Sequence, residues 1–181
     1  MRIRYIQIYT MLLSVLLFAC KQNTQSTGEK TSTINREDDK KAIAAMLDSF
    51  NLAAARADHK GYFNYYADQS TFIGTDATEN WSKDSFMVWS KPYFDRGKAW
   101  NFTSIQRNIY FDQWNDIAWF DELLNTQMKI CRGSGVVVRQ NGVWKVKQYV
   151  LSLTVPNSQV DNVVKEKTKI DDSLMQVISR K

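Results

Sequence analysis

Five side chains in two neighbouring stretches have the types that could hold or convert a small molecule. Asp121 and Glu122 stand in "DIAWFDELL", and Arg132, Gln148 and Ser152 stand in "CRGSGVVVRQNGVWKVKQYVLS". A carboxylate beside a ligand can move a proton, and a guanidinium can fix a polar or anionic group. What they can do depends on the face of the strand each occupies, because a slip of one residue exchanges the faces. A loop of Asn141-Gly142 alone would set Val138 beside Lys145 and Arg139 beside Trp144, mixing both faces. A loop of Gln140-Asn141-Gly142, a type I turn with Gly142 left-handed and a bulge, sets Val136 and Val138 beside Trp144 and Val146. Val137, Arg139, Lys145 and Lys147 then fall on the opposite face. The second register separates apolar from polar and is the expected one. Extended along the strands, it turns Arg132 and Ser134 inward with Gln148, Val150 and Ser152. That inward face is apolar near the hairpin and polar at its far end, as a ligand cavity would be. A lone desolvated guanidinium is costly, so an acid partner is expected. Asp121 and Glu122 point to opposite faces, and the sequence leaves open which is inside. The same ion pair would equally serve as a tie between strands, with no ligand involved.

Other chemistries have less to work with. His59 is the one histidine and follows Asp58 at a helix start, an exposed place. Cys131 reads as a small buried thiol. The two are far apart in sequence, so a Cys–His nucleophile is not expected, and no His/Cys/acid spacing suggests zinc. Neither a metal nor a cofactor is expected. Trp81, Tyr93 and Trp100, with Trp89 and Trp119, are large amphipathic rings, several flanking the place where a cavity mouth would be. Most of such a set packs a core, and one or two line a pocket. Asp76, in "GTDATENW", reads as a turn cap.

These residues need elements to hold them. A helix is expected from near Asn35, with Ile43, Met46, Leu47, Phe50, Ala53, Ala54 and Ala57 on one face. Asp58 caps a second short helix, "HKGYFNYYA". "STFIGT" is a short strand, and "SKDSFMVWSKPYFDRG" a third helix, kinked or broken at Pro92 and ended by Gly97. From Asn101 the period turns to two, with strands near 101–112, 116–126, 130–139 and 143–154 joined by turns at "QWND" and "QNG". A C-terminal helix follows. Ser158 and Asp161 resemble a capping box, and Val160, Val163, Val164, Ile170, Leu174, Val177 and Ile178 form an irregular apolar stripe. Helices followed by an antiparallel meander make an α+β order.

The chain has 181 residues, 44% of them hydrophobic and 13% aromatic, enough for one core. Its formal charge of +5 falls to about +3 without Arg2 and Arg4. Basic and acidic residues are interleaved, which argues against nucleic acid. Residues 1–19 have the basic start and short apolar run of an export signal, too short to span a bilayer. "LFAC" resembles the lipobox of bacterial lipoproteins, which implies cleavage before Cys20 and acylation of its thiol. Residues 20–34, rich in Gln, Asn, Ser and Thr, read as a flexible tether. A cell-envelope location, periplasmic or outer-membrane, follows as an expectation.

From residue 35 to 157 the chain resembles the SnoaL-like branch of the nuclear transport factor 2-like superfamily. The resemblance is carried by "YYADQSTFIGTD", Trp81, "KPYFDRGKAW", "DIAWFDE" and "CRGSGVVVRQNGVWKVKQYVLSLTVPN", in that order and spacing. It implies a curved antiparallel sheet wrapped around N-terminal helices, with a cone-shaped central pocket and a homodimer. The C-terminal helix, 158–181, follows that span. Matched onto the ketosteroid isomerases of this fold, the base falls at Gly74 and the oxyanion tyrosine at Phe50, so that chemistry is not expected. Arg132 with Asp121 or Glu122 could echo the Asp–Arg–Asp set of the fold's epoxide hydrolases, without an identifiable second acid. The expected function is binding of a small, partly apolar ligand through Arg132, Gln148, Trp81, Tyr93, Trp100 and Ser152. The alternatives are an acid–base enzyme (isomerase, cyclase or hydrolase) using Asp121 or Glu122, and a non-catalytic dimeric interaction module. Its dimer contact would be the outer sheet face, taken to include Tyr149, Leu151 and Leu153, with the C-terminal helix as a docking element.

Overall fold

Helix α1 (Arg36–Ala55) carries Glu37, Asp38 and Asp39 in its first turn, where the helix dipole favours acids. It buries Ile43, Leu47, Phe50, Ala53 and Ala54 at helical spacing. The computed structural model describes residues 36–180, so the leader, Cys20 and the tether lie outside the described residues. Asp58 caps α2 (His59–Asn64) by accepting from the Gly61 amide at 2.8 Å. Strand β1 (Tyr66–Ile73) begins earlier than "STFIGT" suggests, and a short strand β2 (Asn80–Ser82) was not expected. Ser82 caps α3 (Lys83–Asp95), which runs through Pro92 instead of breaking there. Pro92 lies in the last turn and removes one hydrogen bond, on an exposed side of the helix.

Strands β3 (Phe102–Phe111), β4 (Ile117–Thr126), β5 (Lys129–Gln140) and β6 (Val143–Leu153) form the expected meander. They extend to a six-stranded sheet of order β2-β1-β6-β5-β4-β3, in which β1 runs parallel to β6 and every other pair is antiparallel. This is an α+β fold, a curved sheet around the N-terminal helices. A turn of 3-10 helix (Asn157–Gln159) leads into α4 (Val160–Ile178), and no side chain caps α4, so the Ser158–Asp161 box does not form.

The β5–β6 hairpin departs from the expected register. Gln140 pairs with Val143, leaving a two-residue loop in which Asn141 (φ 53°) and Gly142 (φ 79°) are both left-handed, as in a type I′ turn. Arg139 is thereby opposite Trp144 on the inner face, the mixture that counted against this loop. Its charge is answered from another element. Arg139 donates to Asp39 of α1 at 2.6 Å and lies over the Trp144 ring at 4.4 Å, while the Trp144 indole donates to the same carboxylate at 3.0 Å. A bulge between Val146 and Gln148 then shifts the phase, so that Tyr149 and Leu151 point inward and Gln148 and Ser152 outward. Gly133 and Gly135 let these large rings cross β5. A Cβ on Gly133 would come 3.0 Å from Glu122 Cγ, and one on Gly135 2.9 Å from the Phe120 ring.

Candidate functional site

The deep part of the cone is filled by side chains. Phe50 stacks on Tyr62 at 4.4 Å, Phe72 on Phe86 at 4.1 Å, and Tyr149 lies 5.8 Å from Phe120. A polar network crosses this filling. The Glu122 side chain, 0% exposed, accepts from the Tyr149 hydroxyl at 2.9 Å and from Arg107 Nε at 2.9 Å. Arg107 Nη1 donates to the Ala44 carbonyl at 3.0 Å. Its Nη2 lies 2.8 Å from Glu122 and 2.9 Å from Asp48, close enough for ion pairing but without an aligned hydrogen bond to either. The Tyr62 and Tyr66 hydroxyls are 3.2 Å apart. Burial pushes the Tyr62, Tyr66 and Tyr149 phenols upward, and for Tyr149 the adjacent Glu122 charge adds to it, so all three remain protonated hydroxyls near neutral pH.

A cavity of about 130 Å³ lies at the cone mouth, between β1, α3 and the β4–β5 turn. Phe72, Phe86, Trp89, Trp100 and Leu151 give it an apolar lining, and Glu79 is its one acid. The Asp76 carboxylate accepts from the Thr78 amide at 2.8 Å and the Thr78 hydroxyl at 2.6 Å, and Gly74 and Glu79 are joined by a backbone bond of 3.0 Å. These bonds fold the β1–β2 loop so that the Glu79 carboxylate occupies the space a Cβ on Gly74 would need. The turn-cap reading of Asp76 matches this geometry. Hydrogen bonds from Thr78 hold the Asp76 carboxyl below its usual range.

Of the side chains expected at a pocket, Trp100 lines the cavity. Trp81 and Tyr93 lie behind its wall residue Trp89, Trp81 stacked on that ring at 5.3 Å and Tyr93 tilted against it at 5.1 Å. The inward orientation expected for Arg132 does not hold. Its side chain is 53% exposed on the outer face, 3.9 Å from Asp121, and Gln148 and Ser152 share that face. The two-residue loop and the bulge together reverse the phase assumed for β5 and β6. Asp121 is also outside, accepting from Asn108 at 3.2 Å and Tyr110 at 3.3 Å, so Glu122 is the inward acid of the two. Glu122 does not reach the cavity. Tyr149 and Leu151, expected on the outer sheet face, are core residues, and only Leu153 of that trio is exposed. His59, expected exposed, is half-buried, within 3.0 Å of the Met87 carbonyl and beside Phe63 and Phe94. Cys131 is a buried free thiol.

Arg107 and Glu79 escaped the sequence reading, and Tyr149 lies on the face opposite to the one expected. Two polar residues in succession, Lys147-Gln148, between Val146 and Tyr149 are the trace that a bulge leaves in an alternating strand. The spacing of Phe102, Ile109 and Phe111 similarly brackets a bulge at Ile105, which sets Arg107 inward. Glu79 reaches the cavity through loop geometry that leaves no period in the sequence.

A layered α+β cone with its opening between α3 and the sheet defines the nuclear transport factor 2-like class. The SnoaL-like domain model matches residues 43–156, and the chain belongs to that family. A nuclear transport factor 2-like protein of unknown function from Pseudomonas putida superposes with a TM-score of 0.57 at 15% identity, covering 67% of this chain and 90% of that one. A candidate dehydratase of the same family from Streptomyces avermitilis gives 0.57 at 13% identity, over 67% and 99%. The association domain of CaMKII from C. elegans gives 0.54 at 16% identity, over 65% and 97%. At such identities these likenesses speak for the fold alone. No curated protein matches the chain. Among the described residues no helix is long and apolar enough to cross a membrane.

Proposed function

We propose that this SnoaL-like domain binds a small, largely apolar ligand at the cone mouth, with the Glu79 carboxylate as its polar anchor. The observation that carries the reading is the cavity of about 130 Å³ walled by Trp89, Trp100, Phe72 and Phe86. An engineered apolar hollow of about 150 Å³ takes up benzene. A carboxylate among aromatic faces favours a donor or a positive charge on the ligand. Isothermal titration with phenol, benzylamine and benzoate tests this. Benzylamine is expected to bind best and benzoate worst, Glu79→Gln to narrow the gap, and Met128→Trp, which fills the cavity, to abolish binding. Saturable binding that survives Met128→Trp, or no binding by any of the three, would sink the reading. Acid–base catalysis finds less support, since Asp121 is outside and Glu122 is enclosed by its partners.

A second reading, an interaction module, is favoured by the outer sheet face. Tyr110 and Trp119 stack there at 5.9 Å, both exposed, with Ile117, Ile130 and Leu153 also exposed. Loss of self-association on Trp119→Glu, followed by sedimentation, would support it. The lipobox-like "LFAC" supports a cell-envelope lipoprotein anchored through Cys20. Cys20→Ser is then expected to move the chain from the membrane fraction to the soluble one, and an unchanged distribution would refute the anchor.

A further inference from the structure

The C-terminal helix α4 follows directly on the family-matched span and buries none of its residues. Ile170 is 70% exposed, and Val160, Val163, Val164, Val177 and Ile178 are exposed with it. In heptad order, Val160, Lys167 and Leu174 take the a positions and Val163, Ile170 and Val177 the d positions. β-Branched residues dominate this stripe, and they are indifferent helix formers without packing. We infer that α4 pairs antiparallel with the α4 of a second copy of this chain.

The charges decide both the occupant and the direction. Lys167 and Asp171 form an ion pair at 2.9 Å in the middle of the stripe, with apolar residues towards both ends. In an antiparallel pair every a residue meets a d residue. Val160 faces Val177 of the second copy, Lys167 faces Ile170, and Leu174 faces Val163. Lys167 then lies one residue level, about 1.5 Å along the axis, from Asp171 of the second copy. The result is a cluster of two lysines and two aspartates in which each charge has opposite neighbours. A parallel pair would instead set Lys167 against Lys167 and Asp171, at an e position, beside Glu166 at a g position of the second copy, like charges that disfavour it. A membrane surface is a poorer occupant. The helix holds three lysines against four acids, without the cationic excess that binds anionic lipid.

Cysteine cross-linking in the full chain tests the pairing, in a Cys131→Ser background that serves as its own control. The double variant Val163→Cys/Leu174→Cys, oxidised in lysate with copper phenanthroline, is expected to run mostly as a covalent dimer on a non-reducing gel. Val163→Cys alone should remain monomeric, because antiparallel helices hold its two copies roughly three turns apart. A dimer from Val163→Cys alone, a cross-link to another protein, or no dimer from the double variant would overturn the inference. Lys167→Asp should weaken the dimer roughly tenfold or more, and Lys167→Asp/Asp171→Lys should restore it. A partner other than this chain would not follow that exchange, so a failed rescue counts against self-pairing. Titration of the cone cavity is read separately, and its failure leaves α4 untouched.

Discussion

Arg107 shares the interior's buried charge with Glu122. Its side chain is 9% exposed, and it meets a Glu122 carboxylate that is wholly enclosed. Such a pair gains little over an apolar filling, yet breaking it strands a buried charge. Arg107→Met is therefore expected to cost about 3–5 kcal/mol, read from the urea midpoint, and Arg107→Met/Glu122→Met to cost less than the single change. Additive losses would show the two side chains to be independent. Asp39 has the opposite character, a carboxylate wanted as a charge. Burial alone would raise it, but hydrogen bonds from Arg139, Trp144 and Asn115, with the Arg139 charge, hold it below the usual range. A depressed folded pKa contributes stability that is present above the unfolded value, about 3.9, and fades as pH falls through the folded one. Asp39→Asn is expected to flatten the stability profile between about pH 5 and pH 2, followed by thermal melting across that range. An unchanged profile would remove Asp39 from the acid response.

At the scale of elements, the β5–β6 hairpin shows how far local pattern carries. The helices, the meander and the α+β class were legible because their periods are long and their cores apolar. The register was not, since the separation of apolar from polar residues within two strands is only part of what sets it. Another part is Asp39, about a hundred residues upstream, which takes up Arg139 and Trp144. The bulge at Lys147 then undid the extrapolation from the turn to Arg132. Of the candidate site, Trp100 was legible as an aromatic near the mouth, whereas Glu79 arrives through a loop whose folding depends on Asp76, Thr78 and the bareness of Gly74. The two-residue loop itself makes a firm demand. With Gly142 at φ 79°, a β-branched side chain there meets the left-handed penalty, and Gly142→Val is expected to cost about 1–2 kcal/mol. An unchanged melting temperature would show that Gly142 is not held in the left-handed region.

For the whole molecule, the core and the C-terminal helix make separable contributions. Among the described residues, every buried hydrophobic one falls between Ile43 and Leu151, from α1 to β6, and α4 buries nothing. The residues that shape the cone mouth lie within the same limits, from Phe72 to Leu151. Removing residues 158–181 therefore takes little area out of contact with the core, and burial is the main source of stability. The shortened chain is expected to melt in a single transition within about 4 °C of the full one, a shift that corresponds to roughly 1 kcal/mol for a domain of this size. Its affinity for benzylamine should be unchanged, while any self-association held by α4 should disappear from sedimentation profiles. A much larger fall in melting temperature would mean that α4 closes on the domain in solution. In that event its apolar stripe would belong to the fold, and the heptad order would lose its meaning as an interface.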